Sequence, residues 1–147
     1  MPDKERTAEE RVGEQIEIEL PYGDAAAHQA RAAVRKSFTR WGLGVLVDDV
    51  VLAVSELVTN AVRHGLPPVR LTICQSAGRV RIDVSDMRPA TNGLEWPVLA
   101  CEDSAESGRG RGIVEAVSDH SGMELADGDG KSSYASWDVD PHKASPG

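Results

Sequence analysis

Between Val47 and Val62 the apolar residues recur at helical spacing: Val47, Val50, Val51, Val54, Leu57, Val58, Ala61 and Val62 share one broad arc at about 100° per residue. This predicts a helix from Val45 to about His64, closed by Gly65 as a C-cap and kept from continuing by Pro67 and Pro68. Around it the period changes. Glu14 to Leu20 (EQIEIEL) alternates strictly, the mark of a half-buried strand with Ile16, Ile18 and Leu20 inward. After the break at Pro21-Tyr22-Gly23, Asp24 is placed to cap a helix running to about Trp41, with Ala27, Ala30, Val34, Phe38 and Trp41 three or four apart. Val69 to Cys74 and Arg79 to Val84 alternate again across Gln75-Ser76-Ala77-Gly78 and predict an antiparallel hairpin. From Asp86 to Gly108 the pattern lapses over a length typical of a lid. Gly112 to His120 reads as a short helix with Ile113, Val114 and Val117 inward, closed by Gly122. Met123 to Ala126 and Ser133 to Val139 then read as strands about the turn Asp127-Gly128-Asp129-Gly130.

The expected order is strand, helix, helix, two strands, long loop, helix, two strands. It describes an α+β two-layer sandwich, a mostly antiparallel sheet covered on one face by helices, with no sign of alternating βαβ units. Residues 1–13 and 141–147 read as tails around one domain over 14–140.

Composition narrows the partners. The 147 residues carry a formal net charge of −8, which argues against a phosphate-backbone partner, so no nucleic acid is expected. No apolar run reaches the roughly 20 residues of a membrane span, and Met1 to Arg11 has no apolar signal core; the expectation is a cytoplasmic protein with no membrane partner. Cys74 and Cys101 fit no metal spacing or disulfide framework and read as reduced bystanders.

Polar residues on the central helix bring in chemistry. Glu56 and Asn60 stack on one side at the edge of the apolar arc, with Arg63 and His64 a turn on. Such a pair is commonly the polar flank of a surface helix. Its company suggests more. Asn60 offers a neutral oxygen suited to a Mg²⁺ ion that takes its other ligands from water and phosphate, and Glu56 could orient or deprotonate an attacking hydroxyl. Asp86, ending its strand, can accept from an exocyclic amine such as that of adenine, or serve as a turn residue. Gly108, Gly110 and Gly112, interleaved with Arg109 and Arg111, read either as a phosphate cradle opening a helix or as a flexible hinge.

These segments together resemble a known family. ELVTNAVRHG is similar to the N-box of the ATPase fold shared by gyrase-type topoisomerases and histidine kinases, in the version found in bacterial anti-sigma regulatory factor serine kinases. ESGRGRGIVEAVSDHSG resembles that family's second glycine box, and the likeness covers about Glu14 to Val139. The resemblance implies a Bergerat-type fold using ATP and Mg²⁺: Glu56 as catalytic base, Asn60 as the metal ligand, and Arg63 and His64 completing the cofactor-binding box. It further implies Asp86 on the adenine amine, Gly108, Arg109, Gly110, Arg111 and Gly112 by the phosphates, and the Ser132 hydroxyl beside adenine. Lys131, preceding it, reads as a solvated turn residue. One departure stands out: the family's glycines after the aspartate (DxGxG) are replaced by Met87-Arg88-Pro89-Ala90. Arg88 could reach a phosphate or a partner carboxylate.

The implied activity is that of a protein serine/threonine kinase that phosphorylates an anti-sigma factor antagonist and binds a sigma factor, in a family whose members often dimerise. The alternative is a non-catalytic module that sequesters a sigma factor or antagonist, with ATP structural or absent.

Overall fold

The computed structural model describes residues 13–88, 103–125 and 130–139. Five strands and three α-helices follow in chain order: β1 Glu14–Leu20, α1 Ala25–Arg40, α2 Val47–His64, β2 Val69–Ser76, β3 Arg79–Asp86, α3 Asp103–Val117, β4 His120–Leu125 and β5 Lys131–Asp138. A single 3-10 turn, Gly44–Leu46, leads into α2. The strands form one sheet in the order β1-β2-β3-β5-β4, and every neighbouring pair is antiparallel. The expected α+β sandwich is the observed one.

Alternation in the strands decides which face is covered. Leu20, Val69, Leu71, Ile73, Val80, Ile82, Val84, Ala135 and Trp137 are buried with Ala30, Val34, Phe38, Val50, Val54, Leu57 and Val58 of the first two helices. The sheet's other face carries Glu17, Arg70, Thr72, Asp83, Ser85 and Ser132, which line a groove of about 380 Å³. A one-residue slip in any strand would exchange these two sets. Two polar groups on the covered side are paired: Glu14, on the same face of β1 as Ile16, accepts from the Trp41 indole at 2.8 Å and bonds Arg40. The Trp137 indole donates to the Val117 carbonyl at 2.7 Å and ties the end of α3 to β5.

Several expectations shift by local chemistry. Asp24 precedes α1, but its side chain makes no capping bond and its backbone is already helical. The hairpin turn contracts to Ala77-Gly78, with Gly78 in the left-handed region at φ +81°. Gly65 follows α2 in an extended conformation (φ −99°, ψ −168°) rather than the left-handed one of a glycine cap. The largest change is α3, which starts at Asp103 and runs through the glycine run instead of beginning after it. The helix ends where Ser118 donates to the Val114 carbonyl, so His120 and Gly122 belong to β4. The remainder of the expected lid, residues 89–102, lies outside the described residues, as do residues 126–129 of the last turn.

Phe38 is fully buried and its ring lies 5.5 Å from that of Trp41. Removing it leaves a cavity between α1 and the sheet. Phe38→Ala is expected to lower unfolding stability by about 3–5 kcal/mol, read as a drop in the urea midpoint with an unchanged slope.

Candidate functional site

The site is built on α2, whose apolar arc seats it on the sheet and leaves Glu56, one turn before Asn60, against α3. Both are half-buried, one turn apart. Opposite them Gly110 is buried in α3, and a Cβ there would stand 2.7 Å from Glu56 Oε1. The carboxylate therefore rests directly on the glycine run. The structure brings Glu56 and Gly110 together across two helices.

The glycines themselves are not arranged as a cradle before a helix. Gly108, Arg109, Gly110, Arg111 and Gly112 all lie inside α3. Only the first four N–H groups of a helix lack an internal partner, and in a helix beginning at Asp103 those precede Gly108. Arg111 is exposed and its Nε donates to Glu115 at 3.2 Å, one turn on. A Cβ at Gly112 would meet open space.

Asp86 ends β3 on the covered side and is 4% exposed. Its Oδ1 accepts from the backbone N–H of Arg88 at 2.7 Å and that of Leu66 at 3.4 Å, and its Oδ2 from Lys131 Nζ at 3.1 Å. Gly65 packs against this carboxylate so closely that a Cβ would lie 2.4 Å from Asp86 Cγ and 2.6 Å from the Ala61 carbonyl oxygen. This close approach explains why glycine follows α2.

The C-terminal carbonyls of α2 are held by two side chains that sequence reading left without this role. The Tyr22 hydroxyl donates to the carbonyls of Val62 (2.6 Å) and Gly65 (3.2 Å), and Arg88 Nη1 donates to that of His64 (2.9 Å). They satisfy acceptors that a helix end leaves open, and the Arg88 cation complements the helix dipole. Arg88 is thus engaged with the protein's own backbone. Arg63 is exposed and His64, the last residue of α2, is half-buried.

Ser132 departs from expectation. Its hydroxyl points to the uncovered face and donates to Asp83 Oδ1 at 3.2 Å, while Asp86 lies on the other side of the sheet. The residue that reaches Asp86 is Lys131, buried at 7% exposure rather than solvated in a turn. A signal was present: Lys131, Ser133, Ala135 and Trp137 alternate, and all four side chains are buried. Antiparallel register pairs Asp86 with Lys131 directly.

On the uncovered face Arg81 grips Asp83 through Nε and Nη2 at 2.9 and 2.8 Å, reaches Glu124 at 2.8 Å and lies 4.0 Å over the Tyr134 ring. The hydrogen bond to Asp83 holds its guanidinium above the usual range. Burial, with Asp83 nearby, pushes the Cys74 thiol up, away from the reactive thiolate, in keeping with a bystander. Among the described residues no three His, Cys, Asp or Glu side chains are grouped to hold a metal. No helix among them is long and apolar enough to cross a membrane.

A helix bearing a carboxylate and an amide over an antiparallel sheet, with a buried aspartate at the sheet's end, defines the class of the Bergerat-type ATPase fold. Residues 21–137 match the histidine kinase-like ATPase domain, and the chain belongs to that family. Among solved structures it is similar to the crystal structure of the RsbU and RsbW domains of Rv1364c from Mycobacterium tuberculosis, at 21% identity and a TM-score of 0.60. That match covers 85% of this chain and 32% of the other. No curated protein sequence matches the chain significantly.

Two glycine substitutions separate packing from positioning. Gly65→Ala drives a Cβ into the Asp86 carboxylate and a backbone carbonyl and is expected to cost about 1–3 kcal/mol of stability. Gly110→Ala meets only the mobile end of Glu56, and its helix propensity contributes up to about 1 kcal/mol. It is expected to keep or raise the melting temperature while displacing Glu56, and calorimetric melting of the two variants checks the contrast.

Proposed function

We propose that the protein is an ATP-binding anti-sigma regulatory factor acting in the cytoplasm as a protein serine/threonine kinase on an anti-sigma factor antagonist. The observation that carries this reading is the stacked Glu56 and Asn60 on α2, with the Glu56 carboxylate laid against the glycine run of α3. Membership of the ATPase family, the N-box-like segment and an RsbW domain within a fold neighbour support it.

The residues present fit a magnesium nucleotide in part. ATP supplies the transferable phosphoryl group, and Mg²⁺ neutralises charge on its oxygens. Asn60 is the group that would ligate the ion, its remaining ligands coming from phosphate and water, which needs no cage of carboxylates. Glu56 is half-buried beside the helix it faces, and in this reading it would take the proton of a substrate hydroxyl. Contact between the phosphates and the backbone of Gly108 to Gly112 would require the start of α3 to open. Three glycines lower the cost of opening, since each weakens a helix by about 1 kcal/mol relative to alanine.

A second reading, a module that sequesters a sigma factor or antagonist without catalysis, is favoured by one observation. The Asp86 carboxylate is already matched by Lys131 and two backbone N–H groups.

Calorimetric titration with ATP, with and without Mg²⁺, tests the first reading. Wild type is expected to bind in a Mg²⁺-dependent manner, Asn60→Ala to lose that dependence, and Glu56→Ala to bind normally while losing phosphoryl transfer by about a hundredfold or more, the range of a general base. Full transfer by Glu56→Ala would falsify the assignment of Glu56. Absence of any nucleotide binding by wild type would leave the binding-module reading in its place.

A further inference from the structure

Lys131 is buried against a carboxylate that the nucleotide reading gives to the base, and this placement has a consequence for selectivity. Asp86 carries about four lone-pair positions on two oxygens. Two backbone N–H groups converge on Oδ1, and the Lys131 ammonium lies at 3.1 Å from Oδ2, with the lysine and aspartate side chains 8% and 4% exposed. The carboxylate cannot swing away to find a further donor. Gly65 lies against it, where a Cβ would stand 2.4 Å from Cγ and 2.6 Å from Oδ2. The backbone of Lys131 is paired with Asp86 in the β3–β5 ladder, and its side chain is 8% exposed against that carboxylate.

We propose that Lys131 is a specificity-determining residue of the nucleotide site: its tethered ammonium holds the Asp86 acceptor that an exocyclic base amine would use, so this site does not select for the amine. The inference rests on the proposed nucleotide reading. It concerns the purine's six-position: the Lys131 ammonium bonds Asp86, while Glu56 and Asn60 lie along α2. An incoming amine must share Oδ2 with a buried cation that already neutralises its charge, and so gains correspondingly less. A purine without the amine loses nothing by comparison.

The test compares ATP with purine riboside triphosphate, which is ATP without its exocyclic amine, by titration calorimetry at saturating Mg²⁺ on wild type, Lys131→Arg, Lys131→Met and Lys131→Ala. Wild type and Lys131→Arg, which keeps the cation, are expected to bind the two nucleotides alike. Lys131→Met and Lys131→Ala leave Oδ2 in need of a donor. They are expected to prefer ATP by about tenfold or more, the factor that one hydrogen bond to a charged group provides. The same two variants should be raised further in melting temperature by ATP than by the analogue, and either suffices if the other fails to fold. Binding of both nucleotides with one and the same preference in all four proteins overturns this inference and leaves the nucleotide reading standing. Failure of all four to bind either nucleotide overturns both.

Discussion

The buried carboxylate of Asp86 is the joint on which this fold's working end depends. A carboxylate taken out of water costs several kcal/mol unless its oxygens are matched, and here the matching donors come from three separate parts of the chain. Leu66 follows α2, Arg88 follows β3, and Lys131 opens β5. Each bond offsets the burial only while all three segments keep their positions. The charge therefore fixes the end of α2 relative to the sheet, and with it the orientation of Glu56 and Asn60 along that helix. Gly65 is the condition for this arrangement, since any side chain there would enter the carboxylate.

A different balance governs α3. Its middle contains three alternate glycines, a composition that weakens a helix interior, while its C-terminal end is held through buried Val114 and the indole bond from Trp137 to Val117. At Gly110 the absence of a side chain lets the helix approach Glu56. Gly110 thus serves close packing in the helical state, while the three glycines together lower the cost of leaving it.

Much of this was legible in the sequence because one face of each early element is buried, which fixes its period. β1, α1, α2 and the β2–β3 hairpin follow the alternation of Ile16, Ile18 and Leu20, the arc from Val50 to Val58, and the turn at Gly78. Three features were not legible, for separate reasons. The start of α3 was placed after its glycines because helix propensity alone excludes them, whereas packing against α2 decides the outcome. The order β3-β5-β4 depends on which strand pairs across the sheet, and no local pattern states it. A strand begun at Ser133 leaves Lys131 in a turn; begun two residues earlier, the same alternation places it on the core side and sends Ser132 to the opposite face.

The replacement of glycines after Asp86 by Met87-Arg88-Pro89 also takes a physical meaning from the structure. The N–H of Arg88 bonds Asp86, a role that any residue except proline can fill, but its guanidinium on the His64 carbonyl is a role glycine cannot fill. Together with the Tyr22 hydroxyl it closes the end of α2 with donors from both sides. A glycine at position 88 would let the backbone pass nearer a ligand while leaving that helix end to water. Arginine gives up that freedom and instead fixes the helix that carries Glu56 and Asn60. The altered segment is therefore part of the support for the site, and its effect falls on how the end of α2 is held rather than on the two side chains that the helix presents.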